Sequence, residues 1–207
     1  MELKQHKEYT QARTISLVLA GILMGASLAW GRDTVFLLLN KDLGMMGDLL
    51  FNTCSNLAEG WIWIPYLLLV VFLFKKDGVL IVYAFAISTI LTQVPKQLIF
   101  SKVTRPIASG IDIKHIHTVK GVEVHTMNSF PSGHSATAFT LFLLTIYLFD
   151  KKGLFFFGFL YALLCGYSRV YLGQHFPLDV AGGIIVAIIT IEISTRIRKK
   201  YPHDKTN

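Results

Sequence analysis

Residues Asn128 to Phe139 read NSFPSGHSATAF, and they stand at the head of a long apolar run. A helix that only crosses a bilayer needs about 20 apolar residues and little else. The Pro131-Ser132-Gly133-His134 mouth of this run therefore asks for a second explanation. The run itself is one of six, at roughly 14–31, 57–74, 78–97, 133–150, 154–172 and 178–197. Composition agrees with a membrane chain. The 207 residues are 53% hydrophobic and only 16% charged, with a mean hydropathy of +0.51, whereas a soluble domain carries about 25% charge. We expect an all-α, six-transmembrane bundle forming one domain over residues 1–207, with Thr34 to Asn40 as a short interfacial helix.

The formal net charge of +7 does not argue for nucleic acid here, because basic residues flanking apolar runs act as topology signals. With an even number of spans both termini share a side. That side holds Lys4, Lys7, Arg13, Lys75, Lys76, Lys151, Lys152, Arg196, Arg198, Lys199, Lys200 and Lys205. The smaller set opposite is Arg32, Lys41, Lys96, Lys102, Arg105, Lys114, Lys120 and Arg169. Both termini are then expected in the cytoplasm. No cleavable signal peptide is evident, and the first run reads as a retained anchor. Cys54 and Cys165 are too few for a disulfide framework.

Parity brings KQLIFSKVTRP, FPSGH and SRVYLGQHFPLD to one outer face. A helix N-terminus at Ser132-Gly133 offers unpaired N–H groups to an anion. Ser132 adds a hydroxyl, and Gly133 permits close backbone approach. His134 can donate a proton. In the next motif Pro177 suits a first helical turn. Asp179, four residues after His175, can reach an imidazole nitrogen and fix its tautomer. An oriented neutral imidazole is a nucleophile, and Arg169 offers a planar fork for phosphate oxygens. Lys96 and Arg105 extend the positive ground. Structural readings stand beside these: a capping Asp, an interfacial His, snorkelling cations. Together the groups suit metal-independent phosphoryl transfer, with one histidine attacking phosphorus and the other protonating the leaving oxygen.

These residues resemble the type 2 phosphatidic acid phosphatase superfamily of integral membrane lipid phosphatases. Two of its three motifs match in full and in order, Pro131-Ser132-Gly133-His134 and Ser168-Arg169-x5-His175-x3-Asp179. The first departs. The family places a lysine seven residues before the arginine of Arg105-Pro106, where this chain has Leu98; Lys96 is nine before it and Lys102 three before. Either the helix ends between Lys96 and Arg105, or two residues bulge out, or Lys102 takes the role. Lys96 is preferred, because SKVT reads as loop.

The resemblance implies His175 as nucleophile forming a phosphohistidine, Asp179 orienting it, and His134 protonating the leaving group. Lys96, Arg105, Ser132, Gly133 and Arg169 would hold the phosphoryl group. It implies no metal and no cofactor, and a membrane lipid phosphate as partner. Undecaprenyl diphosphate and phosphatidyl-type phosphates lead the substrates, with lipid A phosphate third. A bacterial inner membrane is the expected location, with the site facing the periplasm. The 107–130 loop, with His115, His117 and His125, reads as solvated cover rather than a metal site. Glu59, beside Trp61 and Trp63, either lines the mouth or is an interfacial acid. The rivals are a lipid phosphotransferase, a transporter and an inactive lipid-binding scaffold. A transporter would want polar residues mid-span, and a dead scaffold would be expected to lose one of its paired histidines. The vanadium haloperoxidases share the pocket pattern but are soluble.

Overall fold

The computed structural model describes residues 7–201, so Lys4 and Lys205 of the charge count lie outside the described residues. Every regular element among the described residues is helical. Four helices are individually long and apolar enough to cross a bilayer: α1 (Lys7–Trp30), α5 (Gly78–Leu98), α7 (Lys152–Tyr171) and α8 (Pro177–Lys200). Between α1 and α5 lie α2 (Arg32–Leu39), α3 (Gly44–Asn56) and α4 (Trp63–Leu68). The remaining helix, α6 (Gly133–Phe149), is apolar but shorter.

One expectation needs correction. The run at 57–74 is not one straight span. It opens with a 3₁₀ turn at Gly60–Ile62, continues as the six-residue α4 and ends in a π turn at Leu69–Leu73. It joins α3 through a 58° bend, and the two together pass as one broken span. Pro65 supplies a reason: its missing N–H is tolerated only in a first helical turn, so no regular helix runs through it from α3. The helix α3 is not expected from the sequence at all, because the hydropathy of GMMGDLLFNTCSN does not announce it. The interfacial helix expected at Thr34 to Asn40 is present, as α2.

The most enclosed helix is α6, packed between α7 and α8. Its Phe139, Phe142, Leu143, Leu144 and Ile146 are fully buried, as are Ile184 and Ile191 of α8. By contrast α1 exposes Leu17, Val18, Ile22 and Leu28, which suits lipid contact. Helices in lipid gain little from the hydrophobic effect and associate through close packing of small residues. Ser135, Ala136 and Ala138 of α6 are buried, and so are Ala181, Gly182, Gly183 and Ala187 of α8. A Cβ on Gly183 would come within 2.6 Å of the Ser132 carbonyl oxygen, and one on Gly182 would collide with the Phe130 ring. The two glycines therefore let α8 reach the backbone that carries the 128–134 motif. Buried hydroxyls such as those of Ser16, Ser194 and Thr195 bond carbonyls one turn back in their own helices, as an apolar surround requires.

Gly183→Val is expected to destabilise the bundle by about 1–3 kcal/mol through overpacking, read as a lower Tm in detergent. Gly21→Ala on α1, where a Cβ meets nothing within 4 Å, is the control. Equal Tm values for the two variants would contradict this packing account.

Candidate active site

The site assembles where α5, α6 and α7 end or begin beside the start of α8. Ser132 is the N-cap of α6 and accepts from Ser135 N at 3.3 Å and Ser135 Oγ at 2.9 Å. Its own N–H donates to the Asp179 carbonyl at 3.0 Å. This bond fixes the α6 mouth to the first turn of α8. A Cβ on Gly133 would meet nothing within 4 Å, so glycine leaves that wall of the cavity open.

His175 lies in the turn before α8 and is 1% exposed. Its Nδ1 stands 3.4 Å from Asp179 Oδ2. The same oxygen accepts from Ser129 Oγ at 2.5 Å and from Phe176 N at 2.9 Å. The carboxylate thus joins the 128–134 segment to the histidine turn. Burial is the strongest influence holding the His175 imidazole well below its ordinary pKa, and the positive Arg105, Lys96 and Arg169 push the same way. A neutral imidazole is the state a nucleophile needs.

Arg105 precedes a 3₁₀ turn and is 7% exposed. Its Nε donates to Met127 O at 2.9 Å, and its Nη1 to Gln174 O at 3.2 Å and Gln174 Oε1 at 3.0 Å. Arg169, in the last turn of α7, is 6% exposed. Its Nη1 donates to Ser55 Oγ of α3, while its Nε has no hydrogen-bond partner. Lys96 occupies the last turn of α5. Because α5 ends at Leu98 and a turn follows, the nine residues from Lys96 to Arg105 do not lie on one helix. Lys96 lines the same cavity as Arg105, Arg169, Gly133, His134 and His175; Lys102 is exposed and is not among the lining residues.

That cavity measures about 490 Å³ and runs on past Gln93 to Thr89, Phe85 and Trp63. It has a polar end beside the histidines and a flank between α4 and α5. Ser132 and Asp179 stand behind its wall rather than on it.

The chain matches the family model described as the PAP2 superfamily over residues 77–202. This chain belongs to the PAP2 superfamily. It is 30% identical over 153 residues to an undecaprenyl-diphosphatase of Sulfolobus acidocaldarius, covering 73% of this chain and 70% of that protein. The crystal structure of Aquifex aeolicus LpxE superposes with a TM-score of 0.66 at 30% identity, covering 79% of this chain and 93% of the other. A transmembrane PAP2 type phosphatidylglycerolphosphate phosphatase from Bacillus subtilis gives the same TM-score at 22% identity, covering 96% and 99%. At that identity the match speaks for the fold.

Several supporting residues escape a reading of the sequence. Ser129 adjoins the PAP2 motif but looks like a loop serine. Gln174 lies inside the x5 interval and props Arg105. Ser55 sits on the unforeseen α3. Asn40 donates to the carbonyls of His117, Val170 and Tyr171 at 2.8–3.0 Å and accepts from His117 N at 2.7 Å. His117 is correspondingly not solvated: it is 12% exposed, lies against the Tyr171 ring and faces Asp48 Oδ1 at 3.1 Å. His115 and His125 are exposed, as expected.

Ser55→Ala is expected to weaken inhibition by inorganic phosphate about tenfold, by freeing a charged fork from one orienting hydrogen bond. An unchanged inhibition constant would show that Ser55 does not orient Arg169.

Proposed function

We propose that this single domain, residues 1–207, hydrolyses a lipid phosphate or diphosphate without a metal, through a phosphohistidine on His175. The observation that carries this reading is the convergence of Lys96, Arg105, Arg169 and the α6 mouth on one buried, Asp179-paired imidazole. A transferring phosphoryl group needs an in-line nucleophile and positive charge around its equatorial oxygens. His175 Nε2 attacks phosphorus while the bond to the leaving oxygen breaks, and His134 gives that oxygen its proton. His134 then takes a proton from water, whose oxygen attacks phosphorus and breaks the P–N bond. Phosphate leaves and both histidines return to their starting states. Asp179 holds the His175 tautomer throughout. The basic side chains supply the charge stabilisation for which other phosphoryl-transfer enzymes use metal ions.

The substrate is proposed to be undecaprenyl diphosphate or a phosphatidyl-type phosphate, with lipid A phosphate as the alternative. The flank between α4 and α5 supports a lipid. Trp63, Phe85, Ser88 and Thr89 line it below the polar end, so an acyl or prenyl chain can stay among the helices or in the bilayer while the phosphate reaches His175.

Six crossings are proposed, with the α3–α4 pair as one broken span and α6 as another. At about 1.5 Å per residue the 17 residues of α6 span about 26 Å, close to the hydrocarbon thickness. The basic ends of α1 and α8 and the Lys75-Lys76 and Lys151-Lys152 loops favour cytoplasmic termini. The site then faces the periplasm of a bacterial inner membrane.

Purified protein is expected to release phosphate from at least one of undecaprenyl diphosphate, phosphatidylglycerophosphate, phosphatidate or lipid A in the presence of EDTA. His175→Ala is expected to abolish release while retaining the wild-type elution profile. Clear residual turnover in the variant would remove His175 from the nucleophile's role. A phosphorylated acceptor lipid in place of free phosphate would make the chain a transferase.

A further inference from the structure

A general acid must hold its proton until the leaving oxygen develops charge. The surroundings of His134 make that difficult. Lys96 of α5, Arg105 of the 99–132 loop and Arg169 of α7 share its cavity, as do the imidazoles of His175 and His125. Each of these is positive or neutral. Among the described residues lining the cavity, Glu59 is the sole carboxylate. Its Oε1 lies 3.9 Å from His134 Nε2, at ion-pair distance though beyond hydrogen-bond length. That Nε2 is enclosed and has no hydrogen-bond partner.

The backbone brings Glu59 there. It occupies the bend between α3 and α4, with its N–H donating to Asn56 O at 3.3 Å and its carbonyl accepting from Ile62 N at 3.1 Å. Gly60 follows and opens the 3₁₀ turn. The bend therefore places one acid on the cavity wall beside His134. Glu59 also lines the adjoining polar recess with His134, Arg169 and Ser55, where its charge offsets part of the positive field; the other carboxylate there, Glu123, is exposed and faces His125 Nδ1 at 3.7 Å.

We propose that Glu59 is the carboxylate partner of His134, stabilising the imidazolium that protonates the leaving oxygen. The proposal rests on the hydrolytic reading above. Glu59 is a positioning residue: it holds negative charge beside the ring and exchanges no proton itself. The proton moves from His134 to the leaving oxygen as the P–O bond breaks, and water restores it during hydrolysis of the phosphohistidine. The site then has two histidine–carboxylate pairs with opposite tasks. The buried Asp179 orients a neutral ring for attack, and the half-exposed Glu59 supports a charged ring for donation.

The test compares wild type, Glu59→Gln and Glu59→Asp in first-turnover rates across pH. One substrate is a lipid phosphate monoester such as phosphatidate, whose alkoxide leaving oxygen needs a proton. The other is a long-chain 4-nitrophenyl phosphate, whose nitrophenolate leaves without one. In Glu59→Gln the lipid rate is expected to fall about tenfold. Its alkaline limb should move to lower pH by about one unit, because removing a nearby negative charge makes the imidazolium easier to deprotonate. The nitrophenyl rate should stay nearly unchanged, and Glu59→Asp should lose less than Glu59→Gln. Equal losses on both substrates, or no shift of the alkaline limb, would overturn the proposal. If wild type turns over neither substrate, the hydrolytic reading fails by itself, and ¹⁵N-histidine NMR decides the pairing. A lower His134 titration midpoint in Glu59→Gln supports it, and an unchanged midpoint refutes it.

Discussion

The rest of the site depends on one carboxylate held at the buried start of a helix. Asp179 is 2% exposed, and an unpaired charge there would cost several kcal/mol. It is tolerated because Oδ2 gathers the Ser129 hydroxyl, the Phe176 N–H and the His175 ring, while its backbone carbonyl accepts from Ser132 N. These bonds tie together two stretches of chain, 129–132 and 175–179, that a membrane topology would otherwise leave merely adjacent. The close approach of α8 to the 128–134 segment is possible because Gly182 and Gly183 carry no side chain. The packing of small residues and the orientation of the His175 ring are consequently one constraint.

The same enclosure gathers like charges. Arg105 and Arg169 are nearly buried and share one cavity with Lys96. Their mutual repulsion is held by hydrogen bonds to neutral acceptors: Met127 O and Gln174 for Arg105, Ser55 for Arg169. Neutral acceptors fix the direction of a guanidinium without cancelling its charge. The cavity therefore stays positive and complementary to a phosphoryl group, in a setting where each interaction is worth more than in water.

The motif residues and the helical class were legible because both have local signatures. An apolar run is visible without partners, and Ser-Gly-His at its head or Arg-x5-His-x3-Asp at a helix junction is too costly in a membrane to be idle. The lysine was legible only in part. Spacing put Lys96 out of phase with Arg105, and the end of α5 at Leu98 removes the difficulty by breaking the helical count. Ser55, Ser129, Gln174 and Asn40 were not legible. Each is an ordinary polar residue whose importance comes from the partner it meets, 50 to 131 positions away. The broken second span was hidden for a similar reason. Average hydropathy does not register that Gly60 and Pro65 interrupt a helix, nor that α3 leads into the break.

The most direct measurement of the account is identification of the covalent intermediate. Enzyme quenched during turnover of a ³²P-labelled lipid phosphate should carry an acid-labile, base-stable label, and mass spectrometry should place it on the His175 peptide. A label on any other residue, or rapid turnover with no trapped phosphoramidate under conditions that slow hydrolysis of the intermediate, would contradict the claim that His175, held by Asp179, carries the phosphoryl group.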